Sequence, residues 1–195
     1  MEGMSMPFFQ NTKKPVGFGG KLMVKSMNSG THAKLANWGL DHLHIVKEAK
    51  ILDAGCGGGA NVKRLLEKAA QGHVTGLDYS EVSVKEASKV NKKAIKDGKC
   101  EITQGDVRTL PFAEDSFDLI TAFETVYFWF DLAETFKGIR KVLKDGGTNE
   151  SDGHDQTAVK FSKIIDGMKL YDAKMLTESL KQAGFTKITT DQKGV

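Results

Sequence analysis

The stretch Ile51-Leu52-Asp53-Ala54-Gly55-Cys56-Gly57-Gly58-Gly59 decides how this chain is read. An apolar run of strand length ends in an acidic residue, passes through spaced glycines and enters residues 60–70. There Val62, Leu65, Leu66 and Ala69 recur on one helical face. Strand, glycine turn and helix in that order make the first unit of a nucleotide-type site, because glycines let the backbone turn sharply and approach a ligand closely.

Working outward, short apolar runs alternate with amphipathic stretches from residue 50 onward. The pattern predicts strands at 50–54, 73–77, 100–104, 117–122 and 186–190, and helices at 60–70, 82–95 and 132–143. Such alternation implies an α/β fold: a doubly wound, mostly parallel sheet with helices on both faces. Ahead of it, Leu35, Trp38, His42, Leu43 and Val46 have helical spacing over 31–46. Residues 1–49 therefore read as an N-terminal helical extension able to cover a pocket, and residues 50–195 as the ligand-binding domain. The glycine-bearing segment 16–20 reads as a mobile terminus or a lid.

Bulk composition narrows the function classes. The chain has 195 residues, 39% of them hydrophobic and 27% charged, enough to bury a core without disulfides. No apolar run approaches the roughly 20 residues of a membrane span, so no membrane role is expected. With no leader sequence and only Cys56 and Cys100, a cytoplasmic location is expected. A net charge of +3, scattered along helices, is a poor footprint for nucleic acid, and the lysines between 89 and 99 read as a solvated helix face. No His/Cys cluster has zinc spacing, so no metal is expected.

The glycines alone leave the ligand open. Gly55-x-Gly57-x-x-Ala60 satisfies the looser dinucleotide fingerprint, so a nicotinamide cofactor is one candidate. Asp53, two residues before the first glycine, argues against it: a carboxylate beside a bound pyrophosphate is a like-charge contact. S-adenosylmethionine (SAM) has no phosphate and carries a sulfonium and an α-ammonium, so the same carboxylate becomes an attraction. Asp78, about 20 residues past the glycines, has the spacing of a ribose-hydroxyl acceptor, while Ser80 is the better helix cap. Asp106 could accept from an adenine amino group or cap a turn. Asp53, Asp78 and Asp106 follow successive predicted strands, whose C-terminal ends share the rim where open α/β sheets bind ligands.

Taken in order, Leu52 to Gly59, then Gly76-Leu77-Asp78-Tyr79-Ser80, then Gly105-Asp106-Val107, resemble the SAM-binding motifs of class I methyltransferases. Phe117-Asp118-Leu119-Ile120 and Leu143-Lys144-Asp145-Gly146-Gly147 resemble the later landmarks, so the resemblance covers about residues 50–147. It implies a seven-stranded sheet with SAM on the glycine loop and S-adenosylhomocysteine (SAH) as product. Cofactor contacts are expected from Asp53, Ala54, Gly55, Cys56, Gly57, Asn61, Asp78, Tyr79, Ser80, Gly105, Asp106, Val107, Phe123 and Glu124.

The expected function is SAM-dependent methylation of a small-molecule acceptor; an NAD-dependent oxidoreductase and a noncatalytic SAM-binding domain are the alternatives. Positioning can do most of the chemistry, so no catalytic residue is strictly demanded. A base, if the acceptor must lose a proton, would come from Glu124 or Tyr127, with His32 and His154 as further candidates. Trp129 and Phe130 read as core aromatics. No Asn/Asp-Pro-Pro-aromatic segment and no Pro-Cys nucleophile follows the fourth strand, so DNA bases are not expected acceptors. Two departures stand out: Thr148 to Asp152 lacks the apolar character of a buried fifth strand, and nothing closes the sheet after the strand expected at 186–190. Residues missing after Gly147 and after Val195 are the expectation that follows.

Overall fold

The computed structural model describes residues 15–27, 31–151 and 168–191. Helices α1 (Gly17–Met27) and α2 (Thr31–Asp41) precede strand β1 (Lys50–Ala54), followed by α3 (Ala60–Lys68) and β2 (His73–Asp78). Next come α4 (Glu81–Val90), α5 (Lys92–Lys96), β3 (Cys100–Gln104) and β4 (Phe117–Ala122). Helix α6 (Leu132–Val142), strand β5 (Leu143–Ser151) and helix α7 (Ala173–Gln182) complete the described elements. The strands form one sheet in the order β3-β2-β1-β4-β5, every neighbouring pair parallel.

Alternation within the strands supplies two cores, one per face. Leu52, Ala54, Leu77, Ile120 and Ala122 point to the side covered by α6 and α7, where they meet Phe136, Ile139 and Leu176. Ile51, Val74 and Leu119 point the other way, onto Leu40 of α2, Val62 and Leu65 of α3 and Ala87 of α4. This is the doubly wound α/β architecture. Because the order runs outward from β1 to β3 and then jumps back to β4, the sheet reverses direction between β1 and β4. A crevice opens at the carboxyl ends of strands at such a reversal.

The structure corrects several expectations. Strand β5 stands where no strand was visible, and it begins at Leu143, so no residues are needed between Gly147 and the strand. Its polar residues Thr148, Asn149, Glu150 and Ser151 pair with Leu119, Ile120, Thr121 and Ala122 after a bulge between Phe117 and Leu119. The last strand in the order among the described residues, it is half-exposed, and its backbone ladder needs no apolar side chains. Residues 186–190 form no strand; Lys187 takes a φ of +55, which interrupts extended backbone there. Among the described residues the sheet has five strands.

The long helix expected over 82–95 is divided at Asn91, whose Nδ2 donates to the carbonyls of Ala87 and Gly59, both at 3.0 Å. Segment 16–20 opens α1, and Ser80 Oγ donates to the Pro15 carbonyl at 2.8 Å, holding this end against the sheet. Helix α2 stops at Asp41 rather than 46. His42 turns its Nδ1 onto the Trp38 carbonyl at 2.7 Å, where a helical amide would have bonded, and Val46 is exposed.

Candidate active site

At the β1/β4 reversal the glycine loop closes on itself and on β2. The Gly55 and Cys56 amides both donate to the Leu77 carbonyl, at 2.8 and 2.9 Å, and the Gly59 amide donates to the Cys56 carbonyl at 2.9 Å. The Gly57 amide donates to Asp78 Oδ2 at 2.9 Å, while Asp78 Oδ1 accepts from the Ser80 amide at 2.9 Å. One carboxylate thus ties the loop after β1 to the turn entering α4. Burial pushes the Asp78 carboxyl above its usual range, opposed by these two backbone hydrogen bonds.

A cavity of about 340 Å³ opens above this loop. Gly55, Cys56, Gly57 and Asn61 form its floor; Asp78 and Tyr79 follow from β2, and Gly105, Asp106 and Val107 from β3. Phe123 and Glu124 line it from the loop after β4. Thr125 packs so closely under the glycine loop that a Cβ on Gly55 would lie 2.3 Å from its Oγ1. Pro15, Val24 of α1 and Ala33 of α2 complete the wall, so the N-terminal helices do border the site.

Three expected contact residues lie elsewhere. Ala54 is fully buried in the sheet. Ser80 is also buried: its Oγ accepts from the Ser83 amide at 3.4 Å as the cap of α4, so its hydroxyl is spent on structure. Asp53 sits behind the loop, 1% exposed, with Oδ1 accepting from Thr121 Oγ1 at 2.8 Å and Oδ2 without a partner among the described residues. Burial pushes its carboxyl up to about 7; the Thr121 hydroxyl opposes this, Asp78 adds to it and Arg64 opposes. Asp53 is therefore neither on the cavity wall nor a permanent charge near neutral pH.

That titration carries a stability signature. A carboxyl whose pKa is raised in the folded state holds a proton there that the unfolded chain has released, so stability falls as pH rises from about 4 toward 7. Asp53→Asn mimics the protonated acid. Its stability advantage over wild type is expected to grow across that window by at most about 4 kcal/mol. Urea unfolding of both proteins at several pH values checks this, and parallel pH curves would show that Asp53 does not titrate as its burial requires.

The other acidic and aromatic residues separate by role. Asp106 caps a tight turn by accepting from the Arg108 amide at 2.9 Å, and its ion pair with the Arg108 side chain holds its carboxyl below the usual range. Glu124 lines the cavity with a φ of +53, a left-handed conformation that costs a non-glycine residue about 1 kcal/mol. Tyr127 does not line the cavity; its ring packs edge-on against Phe128. Phe128, Trp129 and Phe130 do line it, including the two read from sequence as core aromatics. His154 lies outside the described residues, as does the side chain of His32. Burial pushes the Cys56 thiol well above its ordinary value, which keeps it protonated and unreactive.

Sequence reasoning missed Arg64 and Asn91. Arg64 Nη1 donates to Asn61 Oδ1 at 2.7 Å, and both side chains line the cavity one helical turn apart. Asn91 grips the glycine loop from behind through the Gly59 carbonyl. The spacing Ala60, Asn61, Arg64 was a readable signal for the first. The second needed the fold, since 32 residues separate the partners.

Comparison with known proteins bears on this geometry. Residues 51–147 match the family described as "Methyltransferase domain". Through these residues the chain belongs to the class I SAM-dependent methyltransferases. A cycloartenol-C-24-methyltransferase of Arabidopsis thaliana is 32% identical over 159 residues, which cover 75% of this chain and 47% of that protein. A sterol 24-C-methyltransferase of Gibberella zeae is 37% identical over 98 residues, covering 50% of this chain and 26% of that one. The methyltransferase domain thus sits in a chain that spans less than half the length of these relatives. Among solved structures, the complex between the Haloferax volcanii Trm112 methyltransferase activator and a methyltransferase aligns with a TM-score of 0.72 at 26% identity, covering 83% of this chain and 72% of that one. A SAM-dependent methyltransferase from Aquifex aeolicus, at 17% identity and a TM-score of 0.70, shares the fold, with 84% and 87% of the two chains covered. Among the described residues no helix is long and apolar enough to cross a membrane.

Proposed function

We propose that the chain binds SAM in the cavity above the glycine loop and transfers its methyl group to a small, largely apolar acceptor. The observation that carries this reading is how the loop amides are spent. A dinucleotide's pyrophosphate is held by free N–H groups at a glycine turn. Here the amides of Gly55, Cys56, Gly57 and Gly59 are already bonded to Leu77, Asp78 and Cys56. A pyrophosphate would have to break these bonds and would face Asp78, Asp106 and Glu124 across the cavity. SAM makes neither demand, and Gly57 leaves room for it, since a Cβ there would meet nothing within 4 Å.

In this reading Asp78 takes the ribose hydroxyls and the Asp106 turn borders the adenine. When bound, SAM supplies an activated methyl on a sulfonium, and its loss to the acceptor leaves SAH. The residues of the chain bind, orient and exclude water. Phe128, Trp129 and Phe130, with Val24 and Ala33, make the acceptor side of the cavity apolar. The sterol methyltransferase relatives support an acceptor of that character. Glu124 is the carboxylate on the wall nearest in sequence to these aromatics and is the base we assign where an acceptor proton must leave.

Binding data test the cofactor. SAH at about a hundred times its Kd should raise the melting temperature by about 5–10 °C, whereas NAD should leave it unchanged. A rise with NAD and none with SAH or SAM would overturn the reading. Tight SAH binding with no transfer from labelled SAM to any of a panel of sterol and terpenoid acceptors would favour the noncatalytic alternative.

A further inference from the structure

We propose that Arg64 receives the α-carboxylate of the cofactor's amino-acid tail and so makes the site selective for ligands that carry one. This rests on the SAM reading above and adds an orientation to it.

Two arginines line the cavity, and they are in different states. Arg108 is committed to Asp106 through its side chain and its backbone amide. Arg64 has no carboxylate partner among the described residues; the bond recorded for its guanidinium there is the single donation from Nη1 to the neutral Asn61 amide oxygen at 2.7 Å. A guanidinium carries five N–H donors, so most of those on Arg64 are left to water while the cavity holds water. A ligand that fills the cavity strips that water away. Leaving a cation desolvated is costly unless the ligand brings an anion to it, and a planar fork is matched best by a carboxylate.

SAM carries one carboxylate, at the end of the molecule opposite its adenine. The sheet order sets out the same polarity. Asp106 follows the edge strand β3, Asp78 follows β2, and the β1 loop with α3 comes next, bringing Arg64 to the far side from Asp106. The Arg64 end of the cavity thus offers a cation for the carboxylate.

An arginine that merely braces Asn61 within the helix would give the same hydrogen bond, so the test must separate charge from bracing. Wild type, Arg64→Gln and Arg64→Lys are titrated with SAM and with decarboxylated SAM, which keeps the sulfonium and the ammonium and lacks only the carboxylate. Gln can still donate to Asn61 and is neutral; Lys keeps the charge. Wild type should prefer SAM by roughly ten- to a hundredfold. In Arg64→Gln that preference should collapse to within about threefold, through weaker binding of SAM alone, and Arg64→Lys should retain a preference of several-fold. Equal weakening of both ligands in Arg64→Gln, or an unchanged preference, would overturn the assignment while leaving the cofactor reading intact. Failure of wild type to bind either ligand, where NAD raises its melting temperature, would overturn both.

Discussion

Asp78→Ala should cut the melting-temperature rise produced by SAH to half or less, from about 5–10 °C to about 1–5 °C at the same ligand concentration. The carboxylate is 7% exposed and accepts from two backbone amides, those of Gly57 and Ser80. Truncation removes the acceptor of a ribose hydroxyl, a charge-assisted bond worth roughly ten- to a hundredfold in affinity. It also leaves two donors unpaired at the base of the glycine loop, at about 1–3 kcal/mol each. Part of that loss is offset because a buried carboxylate, whose pKa burial raises, itself costs folding energy near neutral pH. The unliganded protein should therefore lose about 2 kcal/mol in urea unfolding. Asp78→Asn cannot restore both bonds, since its amide nitrogen would face an N–H donor. SAH affinity within threefold of wild type, alongside lowered stability, would reduce Asp78 to a purely structural tie.

Strands β1, β2 and β4 were legible in the sequence because they are buried on both faces and read as short, nearly continuous apolar runs, whereas β3, buried only at Cys100, was legible from its place in the alternation of strand and helix. Strand β5 was not, for a physical reason: among the described residues it is held by its ladder of backbone bonds to β4, which Thr148 to Ser151 make without apolar side chains. The tail at 186–190 failed the opposite way. Its residues look strand-forming, yet Lys187 adopts a left-handed conformation there.

The site was legible in outline only. Asp78, Gly55 and Gly57 line the cavity, while Gly59 packs against Ala87 and Asn91. Asp53 pointed to the right family for a reason the fold revises: it lies behind the loop, bonded to Thr121, and it titrates near neutrality. What separates SAM from a dinucleotide here is the commitment of the loop amides, a property of tertiary hydrogen bonding that no residue pattern displays. Pro15, Val24 and Ala33 also line the cavity, and the Pro15 carbonyl is held by Ser80 across 65 positions of sequence.

Two glycines of the loop, indistinguishable as sequence, should fail in different ways when replaced by alanine. Gly59 has a φ of +80, and a Cβ there would lie 2.8 Å from the backbone Cα of Ala87 and 2.6 Å from Asn91 Nδ2. Helix α4 would have to move, and with it the Asn91 tether. Left-handed strain of about 1 kcal/mol and overpacking of about 1–3 kcal/mol together predict a loss of about 3 kcal/mol. Gly57 has a φ of +52 and open space around its missing Cβ, so Gly57→Ala should cost stability only about 1 kcal/mol. Its methyl, however, would stand on the cavity floor where the backbone lets a ligand come close. SAH should bind Gly57→Ala at least about tenfold more weakly, the effect of overpacking by a single methyl group. Urea unfolding and SAH titration on the pair read the two effects separately. If Gly57→Ala keeps wild-type affinity for SAH, the cofactor does not lie against this loop, whatever Gly59→Ala does to stability.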